Sequence, residues 1–199
     1  MKFVALDHRG AADVARSERS KVLLIGAAGL CAVAASLNAA PGVAGLAGAA
    51  LALTMLAIAV IDARHLIIPD ELNALAFALG LAATSYEGWD EMPAPALAAI
   101  IRCGAMAAIF LAFRHGYRQL RGHEGMGLGD VKLAGVAGVW LDWTSLPIAV
   151  EVAALAALGF IMSRKIRAKR SLDPLAKLPF GAFLAPAIWI CWVLARLWS

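Results

Sequence analysis

The chain has 199 residues, of which 62% are hydrophobic and 16% charged, with a formal net charge of +4. A soluble domain carries about 25% charged residues. That deficit, with a mean hydropathy of +0.77, excludes a disordered or nucleic-acid-binding chain and argues against a soluble enzyme, although the isoelectric point is near 9.2. The apolar residues fall in blocks approaching the roughly 20 that a helix needs to cross a bilayer. The composition therefore predicts an all-α, polytopic membrane helix bundle whose surroundings are lipid.

Seven apolar segments are predicted, over residues 22–37, 43–61, 72–86, 94–113, 128–141, 146–162 and 180–198. Helix-stopping residues separate them: Pro41-Gly42, Pro69-Asp70, Pro93 with Pro95, the stretch 122–127, Pro147, and Pro174 with Pro179. The first two segments are rich in Ala and Gly, which let membrane helices approach closely. The division expected is an N-terminal part, residues 1–40, with a cytoplasmic lead and one extra transmembrane helix, and a membrane-embedded core over 41–199.

Charge orders the segments. Sixteen of the eighteen basic residues lie before segment one, between two and three, around the gap between four and five, or between six and seven. The intervening gaps carry Glu87, Asp90, Glu91 and Asp142 instead. By the positive-inside rule the N-terminus is cytoplasmic and the C-terminus outside. A cleaved signal peptide is the rival reading of residues 1–40. The long mixed-charge lead and the lack of a good A-x-A site before Pro41 favour a retained helix.

Acidic residues near hydrocarbon are expensive and need a reason. Asp62 ends segment two and Asp130 opens segment five, so topology puts both at the cytoplasmic end of their helices. Two carboxylates at one depth, facing one cleft, form an aspartyl dyad in which one carboxyl keeps a proton. Gly125, Gly127 and Gly129 clear the approach to Asp130. The plain alternative is that Asp62 pairs with Arg64 and that Asp130 is a helix-N-terminal acid. Asp62 lies at the C-terminus of its helix and Asp130 at the N-terminus of its own, so the dipoles place a shared proton on Asp62.

Other polar residues have simpler readings. Pro69-Asp70 opens segment three as an N-cap, and Lys132 snorkels to phosphates or tunes Asp130. His65, His115 and His123 lack metal-ligand spacing, and Cys31, Cys103 and Cys191 form no CxxC pair; no metal or cofactor is expected. Glu151, inside segment six, calls for a polar partner, with Arg102 one candidate. Trp89, Trp140, Trp143 and Trp198 mark the outer interface, and the basic cluster 164–170 meets anionic lipid.

Three blocks carry a family resemblance. Asp62-Ala-Arg64-His-Leu-Ile-Ile-Pro69-Asp70 resembles the D-x-R-x-x-x-I-P-[DN] segment of type IV prepilin peptidases. Gly125-Met-Gly127-Leu-Gly129-Asp130-Val-Lys132-Leu resembles their G-x-G-x-G-D-V-K-L segment, shared with the wider GxGD membrane aspartyl proteases. Pro179-Phe180-Gly181-Ala182-Phe183-Leu184 resembles P-F-G-P-F-L, with Ala182 where proline is usual. The resemblance implies that Asp62 and Asp130 are the catalytic pair of an enzyme of the cytoplasmic membrane. Such an enzyme removes a short basic leader after a glycine, at the cytoplasmic face, from prepilin or pseudopilin substrates. The gap between segments two and three is short and holds no CxxC, so a peptidase without methyltransferase activity is expected. That is closest to the short enzymes of Flp-type (tight adherence) pili, with archaeal preflagellin peptidases a similar alternative.

Two rivals come from other classes. One is a small proton-coupled transporter using Asp62, Asp130 and Glu151; against it, both Asp residues sit at one face. The other is a non-catalytic pilus assembly scaffold. The sequence leaves the oligomeric state open.

Overall fold

The computed structural model describes residues 8–122, 125–168 and 178–198. Among them are seven helices: α1 (His8–Ala39), α2 (Gly42–His65), α3 (Asp70–Glu87), α4 (Ala94–Arg121), α5 (Leu128–Trp140), α6 (Ser145–Ala168) and α7 (Gly181–Leu197). A single 3₁₀ turn, Trp89–Glu91, joins α3 to α4. No strand occurs among the described residues. Each apolar segment of the sequence has become a helix, so the chain is a helical bundle. By length and composition, α1, α2, α4 and α6 are candidate membrane spans. Helix α7 is apolar but has 17 residues. Helix α5 has 13, about 20 Å of rise.

Helices α1, α4 and α6 run further than the hydropathy indicates. Segment four was expected to stop at Phe113, but α4 continues through Arg114, Arg118 and Arg121 to an αL cap at Gly122, φ +74°. Basic residues in a last turn complement the helix dipole, so polarity there does not end the helix. Segment one likewise lies inside a 32-residue helix.

Helix α5 is the centre of the bundle, packed on α3, α4 and α7. Its residues from Leu133 to Val139 are all buried. Small residues permit this. A Cβ on Gly138 would lie 2.5 Å from the backbone carbon of Arg102, and one on Gly135 would lie 3.3 Å from Cys103 Sγ. Arg102 donates from Nε to the carbonyl of Gly138 at 3.0 Å, so it does not pair with Glu151, which is exposed on α6.

The end of the bundle away from Asp62 is closed by two tryptophans seated on glycines. The ring of Trp192 covers Gly48 of α2, and that of Trp140 covers Gly80 of α3. The two indoles meet edge to face, 6.4 Å between centroids, and Trp140 Nε1 donates to the carbonyl of Ala76 at 2.8 Å. Trp140 is therefore an internal packing residue, not part of an interfacial belt; Trp89, Trp143 and Trp198 are exposed. Beside them Arg196 donates to both oxygens of Glu87, at 2.8 and 2.6 Å, and stacks over Trp192. Asp142 accepts from the Ser145 amide at 2.7 Å, capping α6. Hydrogen bonds from Ser145 hold its carboxyl below the usual carboxylate range.

Helix α2 ends in an unusual way. Leu66 adopts the left-handed region, φ 57°, ψ 36°, and its amide donates to the carbonyl of Asp62 at 2.9 Å. Glycine is the usual occupant of such a cap, and a residue with a Cβ costs about 1–2 kcal/mol there.

Two expectations follow. Leu66→Gly raises the thermal unfolding midpoint in detergent by the equivalent of about 1 kcal/mol; a lowered midpoint contradicts the strain argument. Gly138→Ala pushes a methyl into the α4 backbone and lowers stability by about 1–3 kcal/mol. Gly104→Ala, whose Cβ meets nothing within 4 Å, leaves stability unchanged or raises it by up to about 1 kcal/mol. Equal effects of the two alanines would show that the α4–α5 contact is looser than described.

Candidate active site

Three helix ends meet at one end of the bundle. The last turn of α2 supplies Asp62, the first turn of α5 supplies Asp130, and α7 begins between them at Gly181. The three sequence blocks, separated by up to 120 residues, are thus adjacent in space.

Asp62 is 4% exposed. Its Oδ2 accepts a hydrogen bond from the Ala182 amide at 2.8 Å, and the Gly181 amide also faces it. These are free N–H groups at the N-terminus of α7, which have no partner within their own helix and sit at its positive end. Asp62 therefore does not use Arg64, which is exposed one turn-edge further on. Asp130 is the third residue of α5. Its Oδ2 accepts from the amide of Gly127 at 3.2 Å, the side-chain half of a capping box. The Gly181 amide faces Asp130 as well, so one N–H lies between the two carboxyls. Asp130 Oδ1 is buried with no hydrogen-bond partner among the described residues.

The reading of the helix ends from sequence needs correction here. It gave Asp62 only the negative end of α2. The positive end of α7 also points at Asp62, so this carboxyl ends one helix and faces the start of another. The α7 end thus offsets part of the dipole asymmetry that placed the shared proton on Asp62.

Both aspartates line one cavity of about 310 Å³, with Leu66, Gly125, Met126, Gly127, Leu178 and Phe180 forming its other walls. Gly129 and Gly181 leave room for Ile68 between them. A Cβ on Gly129 would lie 2.9 Å from Ile68 Cβ, and one on Gly181 would lie 2.5 Å from Ile68 Cδ1 and 3.0 Å from Asp62 Oδ2. Gly125 is pressed by the ring of Tyr117, 2.5 Å from where its Cβ would be. Phe180 packs on Phe110 of α4, 6.4 Å between ring centroids, and the half-buried Pro179 precedes it.

Lys132 reaches across to α3. Its Nζ donates to both oxygens of Asp70, each at 2.7 Å, tying the start of α3 to the first turn of α5. The N-cap of α3 is Pro69, in extended geometry, and Asp70 is the first helical residue. This agrees with the reading of Pro69-Asp70 as the N-cap that opens the third segment. Ile68, Leu66 and Met126 were not singled out from sequence. For Leu66 and Ile68 the signal was the apolar run before Pro69, which reads equally as part of a membrane segment; Met126 stands inside the glycine-rich second block. His123, Lys169, Arg170 and Lys177 lie outside the described residues.

Among the described residues no group of three His, Cys, Asp or Glu side chains is arranged to hold a metal ion. The arrangement offers two carboxyls within mutual electrostatic reach, backbone amides aimed at them, and a cavity large enough for an extended segment of peptide.

Comparison with known proteins takes in the first two of the three blocks. The model of the type IV leader peptidase family matches residues 49–162. The prepilin leader peptidase/N-methyltransferase of Pseudomonas aeruginosa is 36% identical over 157 residues, covering 77% of this chain and 50% of that protein. That of Aeromonas hydrophila is 31% identical over 170 residues, covering 85% and 55%. Leader peptidase HopD of Escherichia coli is 39% identical over 127 residues, covering 63% of this chain and 78% of its own length. The chain thus spans about half the length of the first two. No solved structure matches. On the family match and these identities, the chain belongs to the type IV leader peptidase family.

Proposed function

We propose that the chain is an aspartyl endopeptidase of the cytoplasmic membrane. It removes the short basic leader from prepilin-like substrates, with Asp62 and Asp130 as the catalytic pair and the site at the cytoplasmic face. The observation that carries the reading is the shared cavity: Asp62 and Asp130, 68 positions apart, line it together with the glycines of the second block. Family membership and the names of the relatives support the substrate class. The short gap between α2 and α3 supports a short, Flp-type enzyme, and the proposal covers the peptidase step alone. The catalytic core in this reading is residues 41–199.

The chemistry follows from the pair. Two carboxyls that face one cavity and feel each other's charge share one proton in this reading, because ionising both together is disfavoured. The ionised carboxylate takes a proton from water as the water oxygen adds to the scissile carbonyl carbon. The protonated carboxyl gives its proton to the carbonyl oxygen, forming a neutral gem-diol. Collapse of the diol breaks the C–N bond. The leaving nitrogen receives the proton that was taken from water, and a hydroxyl proton returns to the other carboxylate. One water is consumed, and the pair ends as it began. Amides of Gly127 and Gly181 hold the carboxyls in place while charge moves between them. A proton relay across the membrane is less well supported, because Glu151 is exposed on α6 and the two aspartates sit at one depth.

Asp62→Asn and Asp130→Asn are each expected to lower leader cleavage on the order of 10²–10⁴-fold while the protein still inserts and accumulates. Cleavage assayed with a co-expressed prepilin checks this, and near-normal turnover by either variant removes that residue from the pair. The face of the membrane is tested separately. A reporter fused after Ser199 is expected outside and one inserted at Lys169 inside; the reverse pattern would put the site on the wrong side for a cytoplasmic leader.

A further inference from the structure

A second cleft, of about 420 Å³, lies where α3, α4 and α5 meet. Asn73 and Phe77 of α3, Cys103 and Ala107 of α4, and Gly135 of α5 line it, and the exposed Asp70 and Lys132 stand at its mouth. Residues 70, 73 and 77 share one face of α3, so the cleft changes character with depth. The Lys132–Asp70 ion pair comes first. The Asn73 side chain follows about 4.5 Å further along the helix axis, and the ring of Phe77 about 10 Å along.

Packing within the chain does not account for Asn73. It is 4% exposed, and neither its amide nitrogen nor its amide oxygen has a hydrogen-bond partner among the described residues. The other buried neutral polar side chains there, Ser36 and Thr54, each donate to a carbonyl one turn back. An amide without a partner in an apolar setting is costly, so this one calls for a partner from outside the chain. The ion pair at the mouth has capacity to spare as well. Lys132 directs its ammonium at both oxygens of Asp70, each at 2.7 Å. An ammonium has three donors, and each carboxylate oxygen has two lone pairs. One proton of Lys132 and further lone pairs of Asp70 are therefore left for a ligand that carries both charges.

We infer that the cleft binds one glycerophospholipid with an ethanolamine headgroup. The lipid phosphate accepts the third proton of Lys132, and the ethanolamine ammonium donates to Asp70. The Asn73 amide donates to an ester carbonyl one turn deeper, and an acyl chain runs along Phe77, Ala107 and Gly135. Polar groups and apolar walls thus follow the order of the lipid itself. The mouth sets the headgroup. A glycerol headgroup brings a phosphate to Lys132 but no cation to Asp70. A choline nitrogen carries charge but no N–H, so it makes no charge-assisted hydrogen bond to the carboxylate. A primary ammonium beside a phosphate answers both residues and leaves the Lys132–Asp70 bridge in place. An extended peptide is a poor occupant, because its backbone groups would go unpaired against the apolar walls. The site stands apart from the peptidase reading: it adds a lipid to the contact between α3 and α5, two residues along the chain from Asp130.

The test uses the full chain, purified and delipidated in detergent. Dioleoyl phosphatidylethanolamine, phosphatidylcholine and phosphatidylglycerol are added one at a time, and native mass spectra read the bound fraction. Phosphatidylethanolamine is expected to bind about tenfold more tightly than either of the others, the effect of one charge-assisted hydrogen bond. Asn73→Leu is expected to weaken its binding about tenfold. Asp70→Asn is expected to bring it down to the level of phosphatidylcholine. Phosphatidylethanolamine with a diazirine on its acyl chain is expected to crosslink to α3 and α4 near Phe77 and Ala107. Equal affinity for the three headgroups, undiminished binding by Asn73→Leu, or crosslinks confined to other helices overturns the inference. If a variant fails to accumulate, the headgroup series and the crosslink position, both measured on the unaltered chain, decide.

Discussion

Ile68 occupies the space in which three helix ends meet, and the site depends on that contact. It is 8% exposed and lies against Gly129 at the start of α5 and Gly181 at the start of α7. Any side chain at either glycine would push these helices apart. Because none is there, the first amides of α7 come within hydrogen-bonding distance of Asp62, and the first turn of α5 brings Asp130 to the same cavity. Carboxyls removed from water need such donors, since an unpaired buried polar group costs on the order of 1–3 kcal/mol and a charge far more. The packing of one isoleucine and the solvation of two acids are therefore one problem with one solution.

The remaining structure holds those ends in register. The Lys132–Asp70 pair fixes the start of α3 against α5 on the same side as the cavity. At the far end, Trp140 and Trp192 fill the spaces over Gly80 and Gly48, and the Glu87–Arg196 pair closes α3 on α7. Between them, α5 is short and lined with small residues, so α4 can lie close against it. Rigid supports at both ends suit a site in which small displacements of the carboxyls would break their hydrogen bonds.

Much of the bundle was legible in the sequence because hydropathy blocks and Pro/Gly breaks act locally. Helices α2, α3, α5 and α7 begin and end within a few residues of the apolar segments. The extension of α4 was not legible, because arginines at a helix C-terminus look the same as a polar loop until the dipole they complement is seen. The two aspartates were legible from their depth and from the blocks around them. Their partners were not. Ala182 lies 120 positions from Asp62, and nothing local marks its amide as the donor. The same holds for Lys132 and Asp70, 62 apart, and for Arg102 and Gly138. Trp140 looked like an interfacial residue because it ends a segment, and only the glycine opposite it shows that its ring turns inward.

The account stands or falls on Asp62 and Asp130 acting on one bond. The most direct measurement is an experimental structure of the enzyme bound to a leader-junction peptide in which a hydroxyl-bearing tetrahedral carbon replaces the scissile carbonyl. The account predicts that this hydroxyl lies within hydrogen-bonding distance of both carboxyls, about 2.5–3.0 Å. It also predicts that the Ala182 amide is still on Asp62. A peptide seated with its tetrahedral carbon against only one aspartate, or away from the cavity altogether, would contradict it.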